Sequence, residues 1–152
     1  MVDGAAASRT QRWVDEAVAM GGKLLLGGKA DGNFFPPTIL TDVPQQAQVC
    51  SNEAFAPLVV AFRFKDFGDA IKQVNDSMFG LQTGVFTNDL AGAWRSFNEL
   101  EVGGVIVNDV PTYRIDHMPY GGVKDSGQGR EGLRWASEDM TEIRIMVLAQ
   151  PG

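Results

Sequence analysis

Pro57-Leu58-Val59-Val60-Ala61-Phe62-Arg63-Phe64 is dense in Val, Leu and Phe, residues that fit a pleated and packed surface, and reads as a core strand. A repeating pattern follows it. Asp66 is placed to cap a helix carrying Ala70, Ile71 and Val74, expected to end near Gly80. Leu81–Thr87 is strand-like again. Asn88 or Asp89 opens a second helix with Leu90, Ala93, Trp94 and Phe97 on one side, and Val102–Val107 is the next strand. Strands alternating with helices of about three turns are the signature of an α/β fold with a parallel, helix-covered sheet.

Toward the N-terminus, Met1–Ala7 is small and expected to fray. Ser8 is a candidate cap for a helix whose apolar positions Trp13, Val14, Ala17 and Val18 follow the helical period, and Gly21-Gly22 stops it. Lys23–Leu26 reads as a short buried strand and Gly27–Gly32 as a turn. Asn33–Val43 is extended, because Pro36-Pro37 bar a helix. Toward the C-terminus, Asn108–Gly132 is a long loop with Pro111, Pro119 and a run of glycines; loops of this length in compact domains are usually functional. Glu131–Glu138 is expected to be a short helix. Thr141–Leu148 alternates Ile143, Ile145 and Val147 against Arg144 and Met146, the pattern of a strand.

With 152 residues, the chain is long enough for one core that buries about 68–70% of the unfolded surface. Its 44% hydrophobic and 21% charged residues are ordinary for a soluble globular protein, and the net charge of −6 argues against general affinity for nucleic acid or anionic membranes. One Cys rules out an intramolecular disulfide. No apolar run approaches the ~20 residues of a membrane span, and Met1-Val2-Asp3-Gly4 lacks the basic start of a signal peptide. A cytoplasmic protein is expected.

Several short elements occur in a fixed order. They are Gly21-Gly22-Lys23-Leu24-Leu25-Leu26-Gly27-Gly28, Phe35-Pro36-Pro37-Thr38-Ile39-Leu40, Glu53-Ala54-Phe55-Ala56-Pro57 and Phe79-Gly80-Leu81-Gln82-Thr83-Gly84-Val85-Phe86-Thr87. Gly104-Val105-Ile106-Val107-Asn108 and Tyr120-Gly121-Gly122-Val123-Lys124-Asp125-Ser126-Gly127 complete the series. Together they resemble the aldehyde dehydrogenase superfamily, and the resemblance runs from about Ser8 to Leu148. It implies that 8–138 is part of a catalytic domain and that 139–152 is an oligomerisation strand and tail, after a disordered 1–7.

In that family Glu and Phe of the E-x-F-x-P element hold the nicotinamide end of NAD or NADP. Glu53 and Phe55 take those places here. A carboxylate accepts hydrogen bonds from both ribose hydroxyls, and Phe55 packs against the ring. Ala56 departs from the Gly that many relatives have. By the same resemblance, Tyr113-Arg114-Ile115-Asp116-His117-Met118-Pro119-Tyr120 is the rim of the aldehyde pocket, with Tyr120 a wall and Tyr113 facing it. Arg114 and His117 suggest an aldehyde bearing an anionic group, since a guanidinium binds carboxylate or phosphate in a fork. The alternative has Arg114 paired to Asp116 or Asp109 and His117 bonded to the backbone.

The family's nucleophilic Cys, oxyanion donor, general base and cofactor domain all lie upstream of its E-x-F-x-P element, and only 52 residues precede Glu53. The resemblance therefore implies a C-terminal part of an NAD(P)-dependent aldehyde dehydrogenase. Its substrate is an aldehyde and its state a homo-oligomer, dimer or tetramer. The chain alone is expected to bind no cofactor, hold no catalytic residue and turn over nothing. A non-catalytic module kept for association is the other reading.

Three motifs are declined. Gly127-Gln128-Gly129-Arg130-Glu131-Gly132 spells G-x-G-x-x-G but lacks the preceding apolar strand and the later acidic residue that dinucleotide binding requires. Cys50 has no neighbouring base or helix terminus in sequence to activate it and reads as buried and inert. Asp139 and Glu142 are too few for a metal.

Overall fold

The computed structural model describes residues 1–150. The chain divides into two compact units, Met1–Lys65 and a second that begins at Asp66.

The first unit opens with α1 (Gly4–Ala19), three residues before the expected fraying ends. The Asp3 carboxylate accepts the Ala6 N–H at 2.7 Å, and Ala6 and Ala7 are buried. The segment expected to be disordered thus holds a capped first turn. The end is as read: Gly22 N–H reaches back to Ala17 O at 2.9 Å and Gly21 N–H to Val18 O at 3.0 Å, with Gly21 left-handed at φ 103°. That pair of bonds is a Schellman motif, which a glycine enters without steric cost.

Three strands follow, β1 (Lys23–Leu26), β2 (Thr38–Thr41) and β3 (Leu58–Ala61), in the order β1-β2-β3. β1 is antiparallel to β2, and β2 is parallel to β3 with Thr38 opposite Leu58. A one-turn helix, α2 (Gln48–Ser51), lies between β2 and β3; the sequence reading missed it, since one turn shows no periodicity. Leu40 is fully buried among Val14, Ala17, Phe35, Val43, Ala47 and Val49. Burying a leucine of this kind contributes about 1.5–3 kcal/mol. β1, expected to be buried, is exposed at all four residues, whereas β3, the other edge of the sheet, is half-buried at alternate positions.

In the second unit Asp66 caps α3 (Phe67–Asn75) through the Asp69 N–H, and Asp89 caps α4 (Leu90–Glu99) through the Ala91 and Gly92 N–H groups. α3 stops at Asn75, short of Gly80, where β4 (Phe79–Gly80) begins. β5 (Gln82–Val85) and β6 (Gly104–Val107) pair in parallel, with Gln82 opposite Gly104, and α4 connects them. β7 (Val123–Lys124) pairs antiparallel with β4, and α5 (Leu133–Asp139) follows. Ile71, Val85 and Leu100 form the core.

The α/β character stands. Its sheet is not one ladder: the described residues form a mixed three-stranded sheet and two separate pairs. The apolar side of α4 is real, but Leu90, Trp94 and Phe97 are exposed, and Trp94 and Phe97 meet edge to face at 6.1 Å. Thr141–Leu148 differs from its expected strand in having no ladder partner among the described residues. Its residues Ile143, Ile145, Val147 and Leu148 are each at least 79% exposed. Alternation marks a segment able to pair, and pairing requires a neighbouring edge. No helix among the described residues is long and apolar enough to cross a membrane.

Candidate functional site

Glu53 and Phe55 sit in the first unit, on the segment between α2 and β3. α2 ends at Asn52, whose backbone N–H bonds to Gln48 O and whose side-chain amide donates to Gln48 Oε1 at 2.8 Å. The chain then extends through two tight turns, Ala56 N–H to Ala54 O and Leu58 N–H to Ala56 O, both 2.8 Å. Thr38 N–H to Pro57 O, at 2.9 Å, joins the segment's end to β2. Both ends of the segment are tied, and between them Glu53 is exposed and Phe55 is 78% exposed. A large apolar ring held in water on a fixed backbone, next to a free carboxylate, is a surface that gains from a ligand with one polar and one planar part. The resemblance assigns these two residues the ribose hydroxyls and the nicotinamide ring of the cofactor.

Cys50 is half-buried on α2, and burial pushes its thiol above its ordinary pKa. That is the wrong direction for a nucleophile.

The other expected residues lie in the second unit. β6 ends at Asn108, which takes the left-handed conformation at φ 60° and accepts the Thr87 N–H on its side chain at 2.8 Å. This reverses the chain into 109–113, and Tyr113 N–H closes a turn on Val110 O at 3.1 Å. Further on, Tyr120 and Glu131 exchange backbone hydrogen bonds in an isolated antiparallel bridge. Arg114 spans the two: its guanidinium lies 4.4 Å from the Tyr120 ring centre and donates to Glu131 Oε2 at 2.6 Å. Its partner is therefore neither Asp116 nor Asp109. Glu131 was missed because it is 17 residues away in sequence, beyond any local rule.

An open cleft of about 470 Å³ lies beneath Tyr120, lined also by Leu81, Gly129, Arg130, Glu131 and Met140. The structure thus joins Tyr120, Arg114 and Glu131. Tyr113 and His117 are exposed on the same loop, outside the cleft lining. The G-x-G-x-x-G stretch forms one wall of the cleft, preceded by the two-residue β7 and followed by the seven-residue α5, not by the strand and long helix of a dinucleotide fold. Among the described residues no group of three or more His, Cys, Asp or Glu is placed to hold a metal ion.

Known proteins bear on this geometry. The sequence model of the aldehyde dehydrogenase family matches residues 1–146. The 3-sulfolactaldehyde dehydrogenase of Priestia aryabhattai is 54% identical over 142 residues, covering 93% of this chain and 30% of that protein. The crystal structure of aldehyde dehydrogenase 21 from Physcomitrella patens, in complex with the reaction product succinate, superposes with a TM-score of 0.91 at 48% identity, over 93% of this chain and 30% of that one. Glyceraldehyde-3-phosphate dehydrogenase from Methanocaldococcus jannaschii, complexed with NADP, superposes with a TM-score of 0.89 at 40% identity, over 95% of this chain and 31% of that one. The chain spans about 30% of the length of the relatives it matches.

Proposed function

The chain belongs to the aldehyde dehydrogenase family, and on that premise we propose that it serves an NAD(P)-dependent enzyme oxidising an anionic aldehyde to its carboxylic acid. It supplies the C-terminal part of the catalytic domain. The match over residues 1–146 is the observation that supports this above all. The overall change consumes aldehyde, water and oxidised cofactor and yields acid, reduced cofactor and a proton, by way of a cysteine thioester formed on a thiol outside this chain. NAD or NADP supplies the oxidant when bound.

Within that reaction Glu53 accepts the ribose hydroxyls and Phe55 covers one side of the nicotinamide, so both set orientation. Tyr120 walls the aldehyde. Arg114, 47% exposed and engaging Glu131 through one nitrogen, keeps other N–H groups of its fork for an anion, with Tyr113 and His117 beside it on the loop. Some of the similar proteins are named with anionic compounds, a sulfonate in 3-sulfolactaldehyde, a carboxylate in succinate and a phosphate in glyceraldehyde-3-phosphate, while others are named for the neutral lactaldehyde, so the anionic choice rests on Arg114. The working state is a homo-oligomer, supported by the unpaired apolar alternation of Ile143–Leu148.

The test is steady-state kinetics of the full-length protein carrying this chain. Glu53→Gln is expected to raise KM for NAD(P) by roughly tenfold, as the loss of charge-assisted hydrogen bonds predicts, with little change in KM for aldehyde. Oxidation of anionic and neutral aldehydes with equal kcat/KM would overturn the assignment of substrate class. An unchanged cofactor KM in Glu53→Gln would overturn the ribose role.

A further inference from the structure

β5 shows its two faces to different environments. Val85 points into the core with Ile71 and Leu100, whereas Gln82 and Gly84, on the alternate positions, meet the 109–113 loop. Gln82 Nε2 donates to Pro111 O at 2.6 Å and to Tyr113 O at 3.2 Å. Reversing the amide would set its oxygen against two carbonyl oxygens, so this orientation alone satisfies the chemistry. Two residues on, Gly84 has no side chain because a Cβ there would stand 2.6 Å from Asp109 O and 3.2 Å from the Pro111 ring. The loop lies down on bare backbone at Gly84 and is tied at Gln82.

The tie has a cost that the fold retains. Gln82 Oε1 is buried with no hydrogen-bond partner, turned toward Gly104, where a Cβ would stand 2.8 Å from it. A buried acceptor without a donor is uncommon in native proteins, and such local costs concentrate where a group is needed for position. An apolar side chain would remove the cost and lose both donors.

We propose that Gln82 is a positioning residue for aldehyde recognition: through the Pro111 and Tyr113 carbonyls it sets where Tyr113 and Arg114 stand. This rests on the reading of Tyr113–Tyr120 as the pocket rim. Gln82 touches no substrate and acts through the loop. The loop's other end is held separately, by the Tyr120–Glu131 bridge, and the Arg114–Glu131 ion pair reaches from the first end to the second. Loss of Gln82 therefore lets the Tyr113 end move while the Tyr120 end stays.

The experiment uses the full-length protein. Gln82→Met keeps the length and removes both donors. It is expected to raise KM for the preferred anionic aldehyde by roughly five- to tenfold, the scale of two lost hydrogen bonds, by more than any fall in kcat and with KM for NAD(P) unchanged. Gln82→Glu supplies a signature that a merely structural role would not. The carboxylate donates nothing at neutral pH, but the acid form donates one O–H to a loop carbonyl, so its aldehyde KM is expected to fall toward the parent's as pH is lowered, while that of Gln82→Met does not. Should Gln82→Met fail to fold, the Glu variant carries the comparison. An aldehyde KM within about twofold of the parent in Gln82→Met, below what one lost hydrogen bond would give, overturns the proposal. So does a parallel rise in cofactor KM. Tyr113→Ala separates the two levels. If it leaves aldehyde KM unchanged, the pocket-rim reading fails; if it raises KM and Gln82→Met does not, only the role of Gln82 fails.

Discussion

Arg114 stands over the face of Tyr120, its guanidinium carbon 4.4 Å from the ring centre, and the same side chain is held at its tip by Glu131. Stacking and ion pairing together fix a planar fork that would otherwise sample many rotamers. A lysine matches neither the plane nor the fork.

Arg114→Ala in the full-length enzyme is accordingly expected to raise KM for an anionic aldehyde by roughly tenfold or more, and Arg114→Lys to recover only part of it. Neutral aldehydes should be unaffected. Kinetics on a matched pair of substrates decide the matter, and an equal effect on both sinks the anion role.

Thr38 carries more than its size suggests. Its buried hydroxyl accepts the Gly28 N–H and donates to Pro36 O, each at 2.9 Å. Thr38→Val keeps the shape but strands a buried N–H, and should cost about 1–3 kcal/mol in urea unfolding. Thr38→Ser keeps both bonds and loses one methyl, about 0.8 kcal/mol. A larger loss in Thr38→Ser than in Thr38→Val would show that packing, not the hydroxyl, holds this turn.

Asp42 titrates below its ordinary value of 3.8 because Lys23 bonds to it at 2.8 Å across β1 and β2. A carboxylate with a lowered folded pKa adds stability that is present above the unfolded value and is lost as pH falls through the folded one. The gap in melting temperature between the parent chain and Lys23→Gln should therefore be steady near neutrality, close in acid below 3.8, and shrink in high salt, since both groups are exposed. A gap that widens in acid contradicts the sign.

Cys50 is the one thiol, and burial raises its pKa. At neutral pH native Cys50 should alkylate more slowly than a free thiol and reach the free-thiol rate on unfolding. Reaction as fast as free glutathione in the folded chain would reopen a nucleophilic role.

Much of the fold was legible where one residue settles a local question. Asp66 and Asp89 announce helix starts because a short carboxylate satisfies N–H groups left open in the first turn. Gly21 announces an end because its conformation excludes most side chains. Asp3, not Ser8, caps α1, by the same carboxylate-to-N–H bond that Asp66 makes. The rest depended on neighbours that sequence does not name. Periodicity identified the Leu90, Trp94 and Phe97 side of α4 but not whether anything covers it. Lys23–Leu26 read as buried from composition, while in the structure neither of its faces is covered closely and all four residues are exposed. Motif order singles out Glu53, Phe55 and Tyr120 as candidate site residues. It does not single out Glu131 or Gln82, whose hydrogen-bond partners lie 17 to 31 residues away along the chain.

Gly103 stands against the carbonyl of Gly121 so closely that no β-carbon fits between them. The first precedes β6, and the second follows Tyr120 directly and lines the same cleft. A geneticist scanning this gene would find Gly103 as intolerant of missense change as a reactive residue. Gly103→Ala would push the Gly121 backbone away, and with it the start of the turn that follows Tyr120.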